Sequence, residues 1–277
     1  LRQFLPNTTF MNDATSNHPD VAAIEIQADD TAPHAHKPYT RFLAFLSAIL
    51  LVSAAFHTAV FFVAGTSWAG FVSWRKPIIF AISFAVTNLT LAWILCLLPR
   101  AERKGWLLAG SFGFAGFVEV CLISMQQWRG VPSHFNTVTS FDQNVVIIMG
   151  AMFAPIILSL IGIGIWSLNS LPRGMNLTLG MRIGMLFLIV GQVAGAVIIL
   201  KALPMLREHN GNVAALYPAI TAYKHPHAIS LHAVQVLVVV GMLADRLLKN
   251  AESGKRVVLV TTFILFTVLV VSFPGVV

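Results

Sequence analysis

The chemistry open to this chain rests on a small set of polar residues placed among long apolar runs. His57, Glu119, Gln126, His134, Asp142, His227, His232 and Gln235 lie in or beside those runs, and Arg129 follows Gln126 by three residues. Ionisable groups are expensive inside a membrane and usually mark a site. Neutral imidazoles from separate helices suit iron, copper or zinc, and a carboxylate adds a preference for iron or zinc. His134, His227, His232 and Glu119 are the candidate metal ligands. His57, His232 and Gln235 are the candidates for holding a cofactor such as haem. Glu119, Asp142 and Arg129 are the candidates for acid–base and charge-pairing roles.

Spacing sharpens some of these assignments and weakens others. Glu119 and Gln126 are seven residues apart, nearly two helical turns, so they share a stripe about 10 Å apart. His227 and His232 are five apart and point about 140° away from each other, which is poor for one metal and unlike the H-E-x-x-H pattern of zinc proteases. His232 and Gln235, three apart, share a face. A lone carboxyl such as Glu119 must be protonated, paired or functional; Arg129 or a metal is its expected partner. Arg129 is equally a candidate partner for Asp142 or an interfacial anchor. Asp142 or Ser140 could cap a helix N-terminus, and His57 could simply hydrogen-bond a neighbouring helix.

These residues need elements to position them, and composition says which. The 277 residues are 57% hydrophobic and 10% charged, against about 25% charged in a soluble globular domain, and mean hydropathy is +0.78. A helix needs about 20 apolar residues to cross the hydrocarbon core. Seven stretches qualify: Phe42–Ala64, Pro77–Leu98, Gly105–Trp128, Asn144–Leu168 with a kink expected at Pro155, Met181–Leu203, Pro226–Leu248, and Arg256–Phe273. The expected fold is an all-α integral membrane bundle of seven transmembrane helices over 39–277.

Alternating crossings put twelve of the 18 Lys and Arg on the side of the N-terminus and six on the other. The positive-inside rule then makes the N-terminus cytoplasmic and the C-terminus external in a multi-pass protein of a bacterial inner membrane. The net charge of +7 is accounted for by these loop cations, and no nucleic-acid partner is expected. Every candidate residue then falls in the outer half. Segments three, four and six are expected to converge on one outer pocket centred on His232.

Residues 1–38 read as a disordered tail with no signal peptide, and its His34-Ala35-His36 as at most a weak metal grip. Cys96 and Cys121 read as small buried hydrophobes without a disulfide. Gly191 and Gly195, and Gly110, Gly113 and Gly116, read as close-packing positions. The connection from Pro204 to His225 is long enough to fold over the site as a lid.

Three stretches resemble a bacterial multi-helix membrane family that is itself uncharacterised: Trp74-Arg75-Lys76-Pro77-Ile78-Ile79-Phe80; Arg129-Gly130-Val131-Pro132-Ser133-His134-Phe135-Asn136 with Asp142; and His227 to His232 followed by Ala233-Val234-Gln235. The likeness covers most of the chain after Phe42 and implies no activity. A more distant analogy is to seven-helix metal-dependent lipid hydrolases, which combine three histidines, an aspartate and a serine. Ser133, His134, Asp142, His227 and His232 would supply that set, although those enzymes space the late pair as H-x-x-x-H.

The leading expectation is a metal or haem site with a redox role. Quinone is a fitting partner because it arrives through lipid. The alternatives are a metal-dependent hydrolase acting on a lipid substrate, with Asp142 or Glu119 as base, and a proton-coupled transporter relaying through Glu119 and His232. Oligomeric state is left open.

Overall fold

The computed structural model describes residues 37–65, 67–70, 72–170, 175–209 and 212–273. Among them every regular element is helical: α1 (Pro38–Ala64), α2 (Arg75–Leu97), α3 (Glu102–Trp128), α4 (Ser140–Ser170), α5 (Asn176–Glu208), α6 (Val213–Thr221), α7 (Lys224–Leu247) and α8 (Ala251–Val271). All but α6 are long and apolar enough to cross a membrane, so the chain is a multi-pass membrane protein. The expected spans are all present. Most begin a few residues earlier than hydropathy alone marks, because polar first turns such as Ser140 to Asp142 are already helical.

Local chemistry fixes the ends. Pro38 opens α1 where its missing N–H costs nothing. Thr139 caps α4: its hydroxyl accepts from the Asp142 amide at 3.1 Å and donates to Asp142 Oδ2 at 2.6 Å. The expected cap at Ser140 or Asp142 therefore moves one position upstream, with Asp142 as the reciprocal partner. Asp245 at the end of α7 accepts from the first two amides of α5, Asn176 (3.0 Å) and Leu177 (2.8 Å).

Residues 1–36 of the expected tail, with His34 and His36, lie outside the described residues. Lys37, placed in that tail by sequence, is instead built into the bundle. It is 5% exposed, and its ammonium donates to the carbonyls of Leu95 (2.8 Å), Cys96 (3.2 Å) and Leu98 at the end of α2. That is where a helix dipole favours a cation. Burial pushes its pKa below the usual lysine value.

Small residues set the tightest crossings. A Cβ on Gly184 would stand 2.7 Å from the Val234 backbone, and one on Gly241 2.7 Å from that of Leu177, so α5 and α7 pack backbone to backbone. Gly191 and Gly195 continue the seam against Leu231 and His227, and Gly113 and Gly116 in α3 meet Leu43 and Phe84. Gly110 is different: it faces only Trp106 of its own helix. It belongs to a π-helical turn, Trp106–Gly110, inside α3. α4 runs through Pro155 without ending, and Pro204 lies inside α5. The expected long loop after Pro204 is thus mostly the end of α5 and the short α6.

Candidate functional site

Three elements build the most connected polar group: the start of α2, the C-terminal half of α3 and the α3–α4 loop. Lys76 is held by the first turn of α2, just before Pro77. Glu119 is two turns from the end of α3. Ser133 and His134 come from the loop, which is pinned at both ends. Lys76 Nζ donates to Ser133 Oγ at 2.7 Å and lies 3.4 Å from His134 Nδ1. Ser133 Oγ is 3.0 Å from the same Nδ1, and His134 Nε2 is 3.1 Å from Glu119 Oε1.

With Lys76 charged and Glu119 ionised, the donors and acceptors run in one direction. Lysine ammonium donates and never accepts, so Nδ1 facing it is the bare nitrogen and Nε2 carries the hydrogen to Glu119. Ser133 accepts from Lys76 and sends its own proton toward Nδ1. Burial is the largest influence on His134 and pushes its pKa below the usual imidazole value. The Lys76 charge acts the same way, the Glu119 hydrogen bond and charge oppose it, and Lys224 at the start of α7 adds a smaller downward push. Ser133 is 3% exposed, while the His134 side chain is 30% exposed and Glu119 12%.

Phe135, next in the loop, has φ +61°, the one non-glycine positive φ among the described residues. Holding a bulky residue there costs on the order of 1–3 kcal/mol and persists only when surroundings enforce it. They do: Phe135 packs on Ala202, Leu216 and Ile220 of α5 and α6.

A second group clamps the loop. Gln126 (0% exposed) and Asp142 (2%) are buried. Gln126 Nε2 donates to Asp142 Oδ1 at 2.9 Å, and Arg129 Nη1 donates to the same oxygen at 2.5 Å and to Gln126 Oε1. The Arg129 guanidinium stacks over Phe141 at 4.5 Å. Glu119 therefore meets His134 in place of the expected Arg129 or metal, and Arg129 takes the other of its two candidate partners, Asp142. Arg129 lies at the C-terminal end of α3, beside the first turn of α4, and that proximity decides its partner.

The other candidates go elsewhere. His57 Nδ1 donates to the Ser53 carbonyl at 2.8 Å, and its Nε2 accepts from Trp128 Nε1 at 3.2 Å. Both ring nitrogens are engaged, and the ring stacks near Trp74. His227 Nδ1 donates to the Gly191 carbonyl at 2.6 Å, which serves the α5–α7 seam. His232 faces α2, with Nε2 2.8 Å from Ser83 Oγ, and Gln235 lies 3.4 Å from Thr87 Oγ1. Glu119 thus bonds His134, while His232 and Gln235 contact side chains of α2.

Among the described residues no three His, Cys, Asp or Glu side chains gather as a metal-holding group. Of the candidate ligands, His134 meets Glu119 of α3, His227 the Gly191 carbonyl of α5, and His232 Ser83 of α2. Lys76 is the member of this group that the sequence reading does not single out for chemistry, where it serves as a topology cation and as part of the Trp74–Phe80 stretch. Its place directly before a helix-opening proline was the available signal.

Fold and site together define a seven-span helical membrane protein with a hydrogen-bonded Lys–Ser–His–Glu array at one end of the bundle. No known protein family matches the chain, and no curated protein or solved structure is similar to it.

Proposed function

We propose that this protein is a membrane hydrolase that transfers the acyl group of a bilayer-borne ester through Ser133. The observation that carries the reading is the directed chain from Ser133 through His134 to Glu119. A hydroxyl within reach of a base that is itself oriented by a third group is the geometric signature of an activated nucleophile. Ser133 Oγ attacks the ester carbonyl carbon while its proton passes to His134 Nδ1. The imidazolium is balanced by Glu119 across Nε2. That proton then goes to the departing alkoxide as the ester bond breaks, leaving an acyl-serine. Water, activated by the same nitrogen, releases the acid and restores the serine.

Lys76, donating to Ser133 Oγ, favours the oxygen in its developing anionic form. The backbone amides of His134 and Phe135 find no acceptor among the described residues and supply donors for the carbonyl oxygen. The strained Phe135 fits a loop held for function. With the N-terminus cytoplasmic, the site opens on the outer side. The lipid-hydrolase expectation is retained, with serine in place of metal-bound water.

A fluorophosphonate probe tests this directly. The purified full chain should take up one adduct, mapped to Ser133 by mass spectrometry. Ser133→Ala should take up none, and His134→Ala or Glu119→Gln should slow labelling about 10²-fold or more. A folded protein that reacts elsewhere, or not at all, refutes the hydrolase. The slight exposure of Ser133 favours a second reading, in which the same chain relays protons for coupled transport without a covalent step. An unlabelled protein whose proton uptake in liposomes is lost on Glu119→Gln would support it.

A further inference from the structure

We propose a second binding site, for a phosphate group, between α5 and α8 at the end of the bundle opposite Ser133. A cavity of about 260 Å³ lies there, lined by Asn176, Thr178 and Arg182 of α5 and Glu252 and Lys255 of α8, with apolar neighbours. Its volume is at the small end for ligand sites, the size of a headgroup and not of an acyl chain.

Two buried polar side chains point to a ligand. Asn176 is 6% and Thr178 4% exposed, both line the cavity, and neither side chain makes a hydrogen bond to a described residue. Buried polar groups are normally paired, and a ligand in the cavity that both residues line would supply a partner. The helix N-terminus itself is not the binding element, because Asp245 already takes the amides of Asn176 and Leu177. The site instead offers side-chain donors.

Charge selects the ligand. Of the charged lining side chains two, Arg182 and Lys255, are cations and one, Glu252, is a carboxylate, and the neighbouring Asp245 is already engaged by the Asn176 and Leu177 amides, so an anion is favoured. Arg182 also reaches the Leu168 carbonyl at 3.2 Å, which fixes its direction. Basic pockets between membrane helices on the cation-rich side take phosphate headgroups. This end carries Arg100, Arg103, Lys104, Arg246 and Lys249 as well. The proposal does not depend on the hydrolase reading.

The full chain in neutral detergent would be titrated with short-chain phosphatidylglycerol, the matching diacylglycerol, glycerol 3-phosphate and inorganic phosphate, with binding read by native mass spectrometry and thermal shift. Phosphatidylglycerol should bind and diacylglycerol should not. Lys255→Gln should weaken binding about fivefold, the effect of about 1 kcal/mol per cation near such a group; Thr178→Val should weaken it by a similar factor through a lost hydrogen bond, and Glu252→Gln should tighten it. Equal affinity for glycerol 3-phosphate identifies a soluble phosphate ester as the ligand; a requirement for the chains identifies a lipid headgroup. Binding that ignores all three substitutions, or no binding by any phosphate compound, overturns the site. An unchanged thermal midpoint of each variant without added ligand shows that the fold is intact.

Discussion

Asp142→Ala should be among the most damaging single changes outside the α5–α7 seam. Asp142 is 2% exposed and accepts from Gln126, Arg129 and Thr139 at 2.9, 2.5 and 2.6 Å. Breaking a buried ion pair costs about 3–5 kcal/mol. The Arg129 side chain is 36% exposed, so water recovers part of its solvation and lowers that figure. Gln126, fully enclosed, keeps an unpaired donor, for about 1 kcal/mol or more. The expected total is about 3 kcal/mol, a fall in Tm of about 6–12 °C for a chain of this size, measured by thermal unfolding in detergent. Because Arg129 acts through the same oxygen, Arg129→Ala/Asp142→Ala together should cost well under the sum of the singles. The Ser133–His134 loop is pinned by this clamp, so fluorophosphonate labelling should slow as well. A loss below about 0.5 kcal/mol, comparable to an ordinary surface substitution, or strict additivity with Arg129→Ala, would refute the clamp.

The pKa of His134 is depressed by burial, so the unfolded chain takes up a proton at about pH 6.5 that the folded chain refuses. Stability should be flat above that pH with respect to this group and fall as pH drops below it. The same melts on His134→Gln should show a weaker acid dependence; an unchanged profile would remove His134 as the cause. Lys37→Met removes three carbonyl contacts at the end of α2 and should lower stability by about 2 kcal/mol, read as a shift in the same melts, whereas an unaltered melt would mean that water replaces the ammonium without cost. For topology, Ala214→Cys and Ala251→Cys, each made with Cys96 and Cys121 replaced by Ala, should be labelled by an impermeant reagent from outside and only after permeabilisation respectively; the reverse pattern inverts the orientation.

The spans were legible because hydropathy and length suffice to mark a crossing, and alternation of crossings then assigns every residue to one end. That is why His57, Glu119, His134 and Asp142 could be placed at one depth. Depth does not give azimuth. Whether Glu119 meets Arg129 or His134 depends on how α3 is rotated and how the loop folds back, and neither is written in periodicity. His57 reads either as a cofactor ligand or as a bond to a neighbouring helix, and periodicity cannot name its Nε2 partner, Trp128, 71 positions away. Lys76 was overlooked because a cation at a helix start satisfies a topology rule so completely that no further role is sought. α6 was missed because nine residues, Val213 to Thr221, are too few to stand out beside spans three times as long.

The π-helical turn at Trp106–Gly110 makes α3 two rods joined at an offset. One additional residue in a turn rotates everything beyond it by about 100° relative to a regular helix. Below the offset, Gly105 nests against Tyr39; above it, Gly113 and Gly116 lie on α1 and α2, and Glu119 is aimed at His134. Deleting one residue within 106–110 would leave the lower half in place and swing the carboxylate off its histidine. A one-residue offset thus uncouples the two halves of a span: the upper half can be re-aimed while the lower half keeps its neighbours.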